Sequence, residues 1–239
     1  MCYRYSIFSK PELIELRFKA KFQKKFIPKY HTSAFSQEKL PIITNKNPKE
    51  IILADWGFIP HWVKNVKQAE DIRLKTANAR SETIYEKPSF RYAAKNNHCL
   101  VIADGFFEWR AVNNFKYPYF IRLKNHKLFA MAGLWDFWIN PDTDEDIITF
   151  TIITTEANPL MKIVHNQKKR MPVILTDESE KMWLDVSLDD SFVKNILTSY
   201  DEDEMEAYTI SKLITSKKKD LNVSEILNPY SYPGVESRL

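Results

Sequence analysis

Strand-type runs in this chain come in consecutive blocks, and that order limits the fold more than any other feature. LPIITNKNPKEIILADWGF reads as two strands joined by a turn at Asn45–Pro48. LVIADGFFEWR, YPYFIRLK, KLFAMAGLW and DIITFTIITT follow as apolar, β-branched or aromatic runs of strand length, and EAYTIS adds a late one. The helical patterns are short. PELIEL has Pro11 at a first-turn position and Ser9 as its cap; SETIYEKPSFRYAAKNN is helical in places and broken at Pro88; EANPLMKIVH, DESEKMWLDV and DDSFVKNILTSY come later. Without regular βαβ alternation, the order predicts an α+β fold: a mostly antiparallel, curved or barrel-like β core flanked by short helices. No linker interrupts it, so residues 1–239 are expected to form a single domain, with a peripheral C-terminal tail from about 216 to 239.

Phe18, Phe22, Phe26 and Tyr30 recur every four residues, which predicts that the PELIEL helix continues until Pro28 ends it. Between Arg17 and Lys29 lie six cations and no acid. An amphipathic core helix with a solvated basic face and a DNA-facing helix explain this stretch equally well. Acids gather late, at 141–146 and 201–206, and the net charge of +4 permits a polyanionic partner without requiring one.

No run of eighteen apolar residues occurs, and the N-terminus lacks the basic-then-apolar pattern of a signal peptide, so no membrane partner and a cytoplasmic location are expected. The only cysteines are Cys2 and Cys99, too few for a disulfide framework, and with five scattered histidines they give no metal-ligand spacing. No metal and no cofactor are expected. Cys99, inside an apolar run, reads as a small buried hydrophobe.

Three of the four glycines lie beside aromatics, in DWGFIPHW, ADGFFEW and MAGLWDFW, and five of the six tryptophans fall in the same segments. Glycine inside a strand-rich run marks a bulge or a close approach. Core packing accounts for most of these tryptophans, whereas Trp62, after Pro60 and His61, reads as a loop residue able to stack on bases.

Cys2, then WGFIPHW (56–62), NARSET (78–83), PSFR (88–91), CLVIADGFFEW (99–109), AGLW (132–135) and H-x4-RMPVIL (165–175) occur in that order. Together they resemble the SOS response-associated peptidase family, which includes proteins that process abasic sites in single-stranded DNA. The resemblance runs from Cys2 to about Leu184 and implies a monomer that binds such DNA in the damage response, nucleoid-associated when bound. It also implies self-removal of the initiator methionine, the source of the peptidase and hydrolase label, and cross-link reversal, the source of a lyase description.

Chemistry explains the residues. Loss of Met1 gives Cys2 a free α-amine beside its thiol, with ordinary pKa values of about 8 and about 8.5. An abasic deoxyribose opens to an aldehyde; the amine forms a Schiff base and the sulfur closes on the imine carbon, giving a thiazolidine. By resemblance, Glu108 is the catalytic glutamate, its carboxyl pKa raised among Phe106, Phe107 and Trp109. Without the resemblance, strand alternation would turn Glu108 to solvent. His165 matches the family histidine, expected to switch charge near its ordinary pKa of about 6.5. Asn78 matches the asparagine that positions the N-terminus or the sugar. Arg4 and Arg80 match phosphate contacts, Thr154 a phosphate- or sugar-binding threonine, and Trp62 a wedge against bases.

The chain also departs from the family pattern. Tyr3 stands where many members have glycine, and YHTSAF (30–35) replaces a common Tyr-Asn-x-Ala-Pro element. Val63 replaces a second tryptophan. Four residues, including Lys168 and Lys169, separate His165 from Arg170, and the usual Val-Asn after EAYTIS is missing. Two rival functions stay open: a cysteine peptidase acting on external peptides through Cys2, His165 and Glu108, and a non-catalytic single-stranded DNA-binding module.

Overall fold

The structure, a computed structural model, describes residues 2–36, 38–216 and 220–239, leaving aside the side chain of Asp190. The strands are β1 (Arg4–Ile7), β2 (Lys21–Phe22), β3 (Lys29–Ser33), β4 (Lys39–Thr44), β5 (Asn47–Trp56), β6 (Asn78–Arg80) and β7 (His98–Ala103). They continue as β8 (Gly105–Val112), β9 (Phe115–Leu123), β10 (Phe129–Ile139), β11 (Asp146–Glu156), β12 (Arg170–Pro172), β13 (Ile174–Leu175) and β14 (Met205–Thr209). Six short helices separate them: α1 (Pro11–Phe18), α2 (Val66–Arg73), α3 (Ala93–Asn96), α4 (Pro159–Val164), α5 (Asp177–Leu184) and α6 (Asp190–Ile196). Among the described residues no helix is long and apolar enough to cross a membrane.

Strands β11, β10, β7, β4 and β5 hydrogen-bond in sequence, and β5 returns to β11 through the parallel pairs Thr149↔Asp55 and Phe150↔Trp56. That return closes a five-stranded mixed barrel, filled by apolar residues such as Ile42, Val101, Met131 and Ile152. The expected α+β fold with a barrel-like, mostly antiparallel core is found. The parallel pairings all involve β5 or β11. A second sheet, ordered β14-β9-β8-β1-β3, is antiparallel throughout.

The two sheets meet where the run LVIADGFFEWR bends. Asp104 separates β7 of the barrel from β8 of the second sheet, and its carboxylate accepts hydrogen bonds from the amides of Phe8 (2.6 Å) and Ser9 (2.8 Å) and from the Ser9 hydroxyl. Gly105 is required there, because a Cβ would come 2.3 Å from the Phe120 ring. Ser9 is therefore committed to Asp104 and does not cap α1; Lys10 occupies that position without a side-chain cap.

The four-residue aromatic period misled. Helix α1 ends at Phe18, where Lys19 turns left-handed (φ 52°), and Phe22 and Phe26 stack on each other from extended chain at 5.4 Å. Pro28 has no helix to end. The C-terminal segment runs back along β14, with Leu239 and Ala207 exchanging backbone hydrogen bonds and Ile226 fully buried.

Candidate active site

Strand β1 lies antiparallel to β8 with Tyr5 opposite Phe106 and Ser6 opposite Gly105. Carried two residues further, that register sets Tyr3 opposite Glu108, so the chain's second residue is delivered to the middle of β8. Cys2 is fully buried, and its thiol donates a long hydrogen bond to the Arg4 carbonyl (3.6 Å). From the barrel side, the Trp56 indole donates to the Ala77 carbonyl (2.8 Å), which seats β6 parallel to β11. The first residue of β6, Asn78, donates its side-chain amide to the Cys2 carbonyl at 2.9 Å. The Asn78 side-chain oxygen Oδ1 is buried with no hydrogen-bond donor among the described residues.

His165 follows α4, whose N-terminus is capped by the Asn158 side chain. Its Nδ1 donates to the Arg170 carbonyl (2.8 Å), which fixes the tautomer and leaves Nε2 as the acceptor. Nε2 lies 3.7 Å from a carboxylate oxygen of Glu108. Glu108 is not turned to solvent, as alternation alone would have it; only 5% of it is exposed. Burial pushes its carboxyl up to about 7, against lowering contributions that include a hydrogen bond from the Trp109 backbone and, least of all, the Lys168 charge.

Two expectations about protons need correction. Burial, with the Lys168 charge as a smaller cause, pushes His165 down to about 4, so it does not switch near pH 6.5 and stays neutral across the physiological range. Burial, reinforced by the Glu108 charge, raises the Cys2 thiol far above its ordinary value. The resting sulfur is a thiol, not a ready thiolate.

Glu108 and His165 line a cavity of about 360 Å³ together with Tyr3, Arg4, Trp109 and Lys168. The Arg4 guanidinium lies 5.1 Å over the Trp109 ring, and no carboxylate pairs with it among the described residues. An uncompensated cation at the mouth of a cavity suits an anionic oxygen. Lys116, Gln167 and Thr215 complete the lining and were not singled out from sequence. The long spacing before Arg170 is resolved as a tight turn in which Lys169 is left-handed and its amide returns to the His165 carbonyl (2.8 Å).

The other expected contacts are not all brought together. Arg80 is exposed on β6. Thr154 is fully buried; its hydroxyl donates to the Ala79 carbonyl and Arg170 donates to its backbone carbonyl, so no phosphate can reach it in this structure. Near the end of β11 it is flanked on both sides, by Arg80 of β6 and Pro172 of β12. Trp62 is 42% exposed in a loop, beside a shallow depression lined by His61, Pro88, Arg91 and Tyr92 that shares no residue with the Glu108 cavity. Cys99 is fully buried in the barrel, as its sequence context implied. Met1 lies outside the described residues. Among those described, no group of three or more His, Cys, Asp or Glu is placed to hold a metal ion.

Residues 1–217 match the family described as SOS response associated peptidase (SRAP). The chain belongs to that family. It is 41% identical over 227 residues to the abasic site processing protein YoqW of Bacillus subtilis, covering 92% of this chain and 96% of that one. The abasic site processing protein YoaM of the same organism is 38% identical, covering 95% and 98%. Among solved structures, a protein from Bacteroides thetaiotaomicron superposes with a TM-score of 0.89 at 38% identity, over 95% of this chain and 98% of that chain. The SRAP match ends two residues after the short turn Lys212–Thr215, so the last strand and every residue lining the cavity lie within it and the tail lies beyond.

Proposed function

We propose that this SRAP protein processes abasic sites in DNA by capturing them covalently through Cys2, on single-stranded DNA and after Met1 has been removed. The observation that carries the reading is the tie between Asn78 and the backbone of Cys2, made beside a buried carboxyl whose pKa of about 7 lets it both give and take a proton. The Cys2 α-amine attacks the sugar aldehyde and water leaves as the imine forms. The S–H then adds across the C=N bond: sulfur bonds to carbon, and the thiol proton ends on nitrogen. Glu108 relays these protons, with neutral His165, held by Arg170, 3.7 Å from its carboxylate. Asn78 has a free acceptor for the new amine. Arg4 and Arg80 take backbone phosphates, Trp62 wedges against a base, and Thr154 acts only by holding Arg170 in place. Reversal would run the same proton steps backwards. Release of Met1 by the chain's own groups is the hydrolytic part of the proposal.

A thiol raised this far by burial is poorly suited to attack an external peptide, where the thiolate must act without help from an amine. The test is an oligonucleotide bearing one abasic site, incubated with mature protein and run on a denaturing gel. A shifted, heat-stable band that is lost in Cys2→Ala and in N-acetylated protein is expected. An unshifted band with reversible binding intact would replace the proposal with a plain binding module.

A further inference from the structure

The β8–β9 hairpin runs beyond the cavity and carries a stripe of its own. Side chains alternate along a strand, so Glu108, Arg110 and Val112 share one face of β8. Their cross-strand partners on β9 are Tyr119, Tyr117 and Phe115. Starting at Glu108, that face presents the Arg110–Tyr117 pair and then the Val112–Phe115 pair, in steps of about 7 Å. The hairpin turns at Asn113 and Asn114, both left-handed, which projects Phe115 to the tip, where it is 61% exposed.

The C-terminal tail builds the other half. Tyr232 packs edge-on against Tyr117 at 5.0 Å, and Tyr230 lies 4.8 Å from Tyr232 with 51% of its surface exposed. Lys212 sits among the rings, 4.9 Å from Tyr117 and 5.9 Å from Phe115. The cluster is held rigidly: the Tyr232 hydroxyl donates to the Ile210 carbonyl (2.8 Å), and the Tyr230 amide to the Thr209 carbonyl (2.9 Å). An acid also lies on this face, Glu236, 3.6 Å from Arg110. Cations interleaved with exposed ring faces are what a single strand needs, since every base offers a stacking face and every linkage a negative charge. Tyr230 and Tyr232 fall outside the residues that match the family.

We propose that the hairpin tip and the tail tyrosines form a second, sequence-tolerant stacking surface for the DNA strand that flanks the abasic nucleotide. It rests on the reading above that a single strand occupies the Glu108 cavity, and the register of the stripe puts that surface on one side of the lesion only. The test measures fluorescence anisotropy of a strand carrying a tetrahydrofuran abasic analogue, either trimmed to one nucleotide on each side or extended by six nucleotides on one side or the other. Wild-type protein gains about tenfold or more in affinity from extension on one side. The double variant Phe115→Ala/Tyr230→Ala loses that gain, while its binding of the trimmed strand and its cross-linking of a trimmed true abasic strand stay at wild-type levels. Phe115→Trp keeps the gain, which separates stacking from damage to the hairpin. An equal gain in the double variant, or no gain on either side in wild type, overturns the proposal. If wild type fails to cross-link yet keeps the one-sided gain, the cross-linking reading falls and the stacking surface stands.

Discussion

Glu108 and Glu180 are buried to nearly the same degree, 5% and 6% exposed, in opposite company. Glu180 on α5 receives both arms of Arg17 from α1, at 2.7 and 3.1 Å, and the ion pair clamps one helix to the other. Burial raises its carboxyl, and the guanidinium pulls it back. Glu108 faces instead a histidine that burial holds neutral, and its carboxyl rises to about 7. A buried carboxylate braced by a guanidinium is part of the scaffold. One whose carboxyl sits near 7 beside an imidazole can exchange a proton near neutral pH.

The contrast is broken most directly at Glu108. Glu108→Gln should slow cross-linking about 100- to 10,000-fold, the range for losing a general acid–base group. The same change should stabilise the fold at alkaline pH. Because Glu108 is raised from 4.5 to about 7 by folding, the native state holds the extra proton between those values. Stability is then full below about 4.5 and is lost as pH rises through about 7. The glutamine variant escapes that loss, by on the order of 2 kcal/mol at pH 8 in chemical denaturation. A variant both slower and less stable at pH 8 would make Glu108 a second scaffold carboxylate.

Arg17→Ala should do the reverse: lose about 3 kcal/mol of stability by stranding Glu180, with the cross-linking rate unchanged once the protein is folded. A third measurement sharpens the assignment of protons. The rate against pH should inflect near 7, from Glu108, and show no separate step at 6.5, because His165 remains neutral down to about 4. A step at 6.5 that disappears in His165→Ala would restore the charge switch. The smallest effect belongs to Arg4→Ala: binding weaker by about tenfold and a salt slope reduced by about one, with no preference for sequence.

Much of the scaffold was legible because strand runs announce themselves through β-branched and aromatic residues, and the turns between them through asparagine and proline. Pro11 marked the start of α1 correctly. The ring closure between β5 and β11 was not legible, since parallel pairing across some ninety residues leaves no local pattern. Phe18, Phe22 and Phe26 show how a helical period arises by accident when one residue, Lys19, can adopt a left-handed turn. At the site, ordered motifs supplied Cys2, Asn78, Glu108 and His165. Their proton affinities were hidden, because burial is a tertiary property. Thr154 and Ser9 failed for a shared reason: a hydroxyl in a sequence does not reveal which backbone or carboxylate will claim it.

The meeting of Asn78 with the Cys2 carbonyl spans 76 positions, and His165 stands 163 positions after Cys2. During synthesis Cys2 is therefore the first of these residues to emerge, and the side chains that meet it follow much later. On the proposed reading, Met1 still blocks the Cys2 amine until β11 closes the barrel and α4 delivers the histidine. Its sheltering is thus a matter of timing as well as of geometry: a slow, non-local fold must be completed before the residue becomes selective.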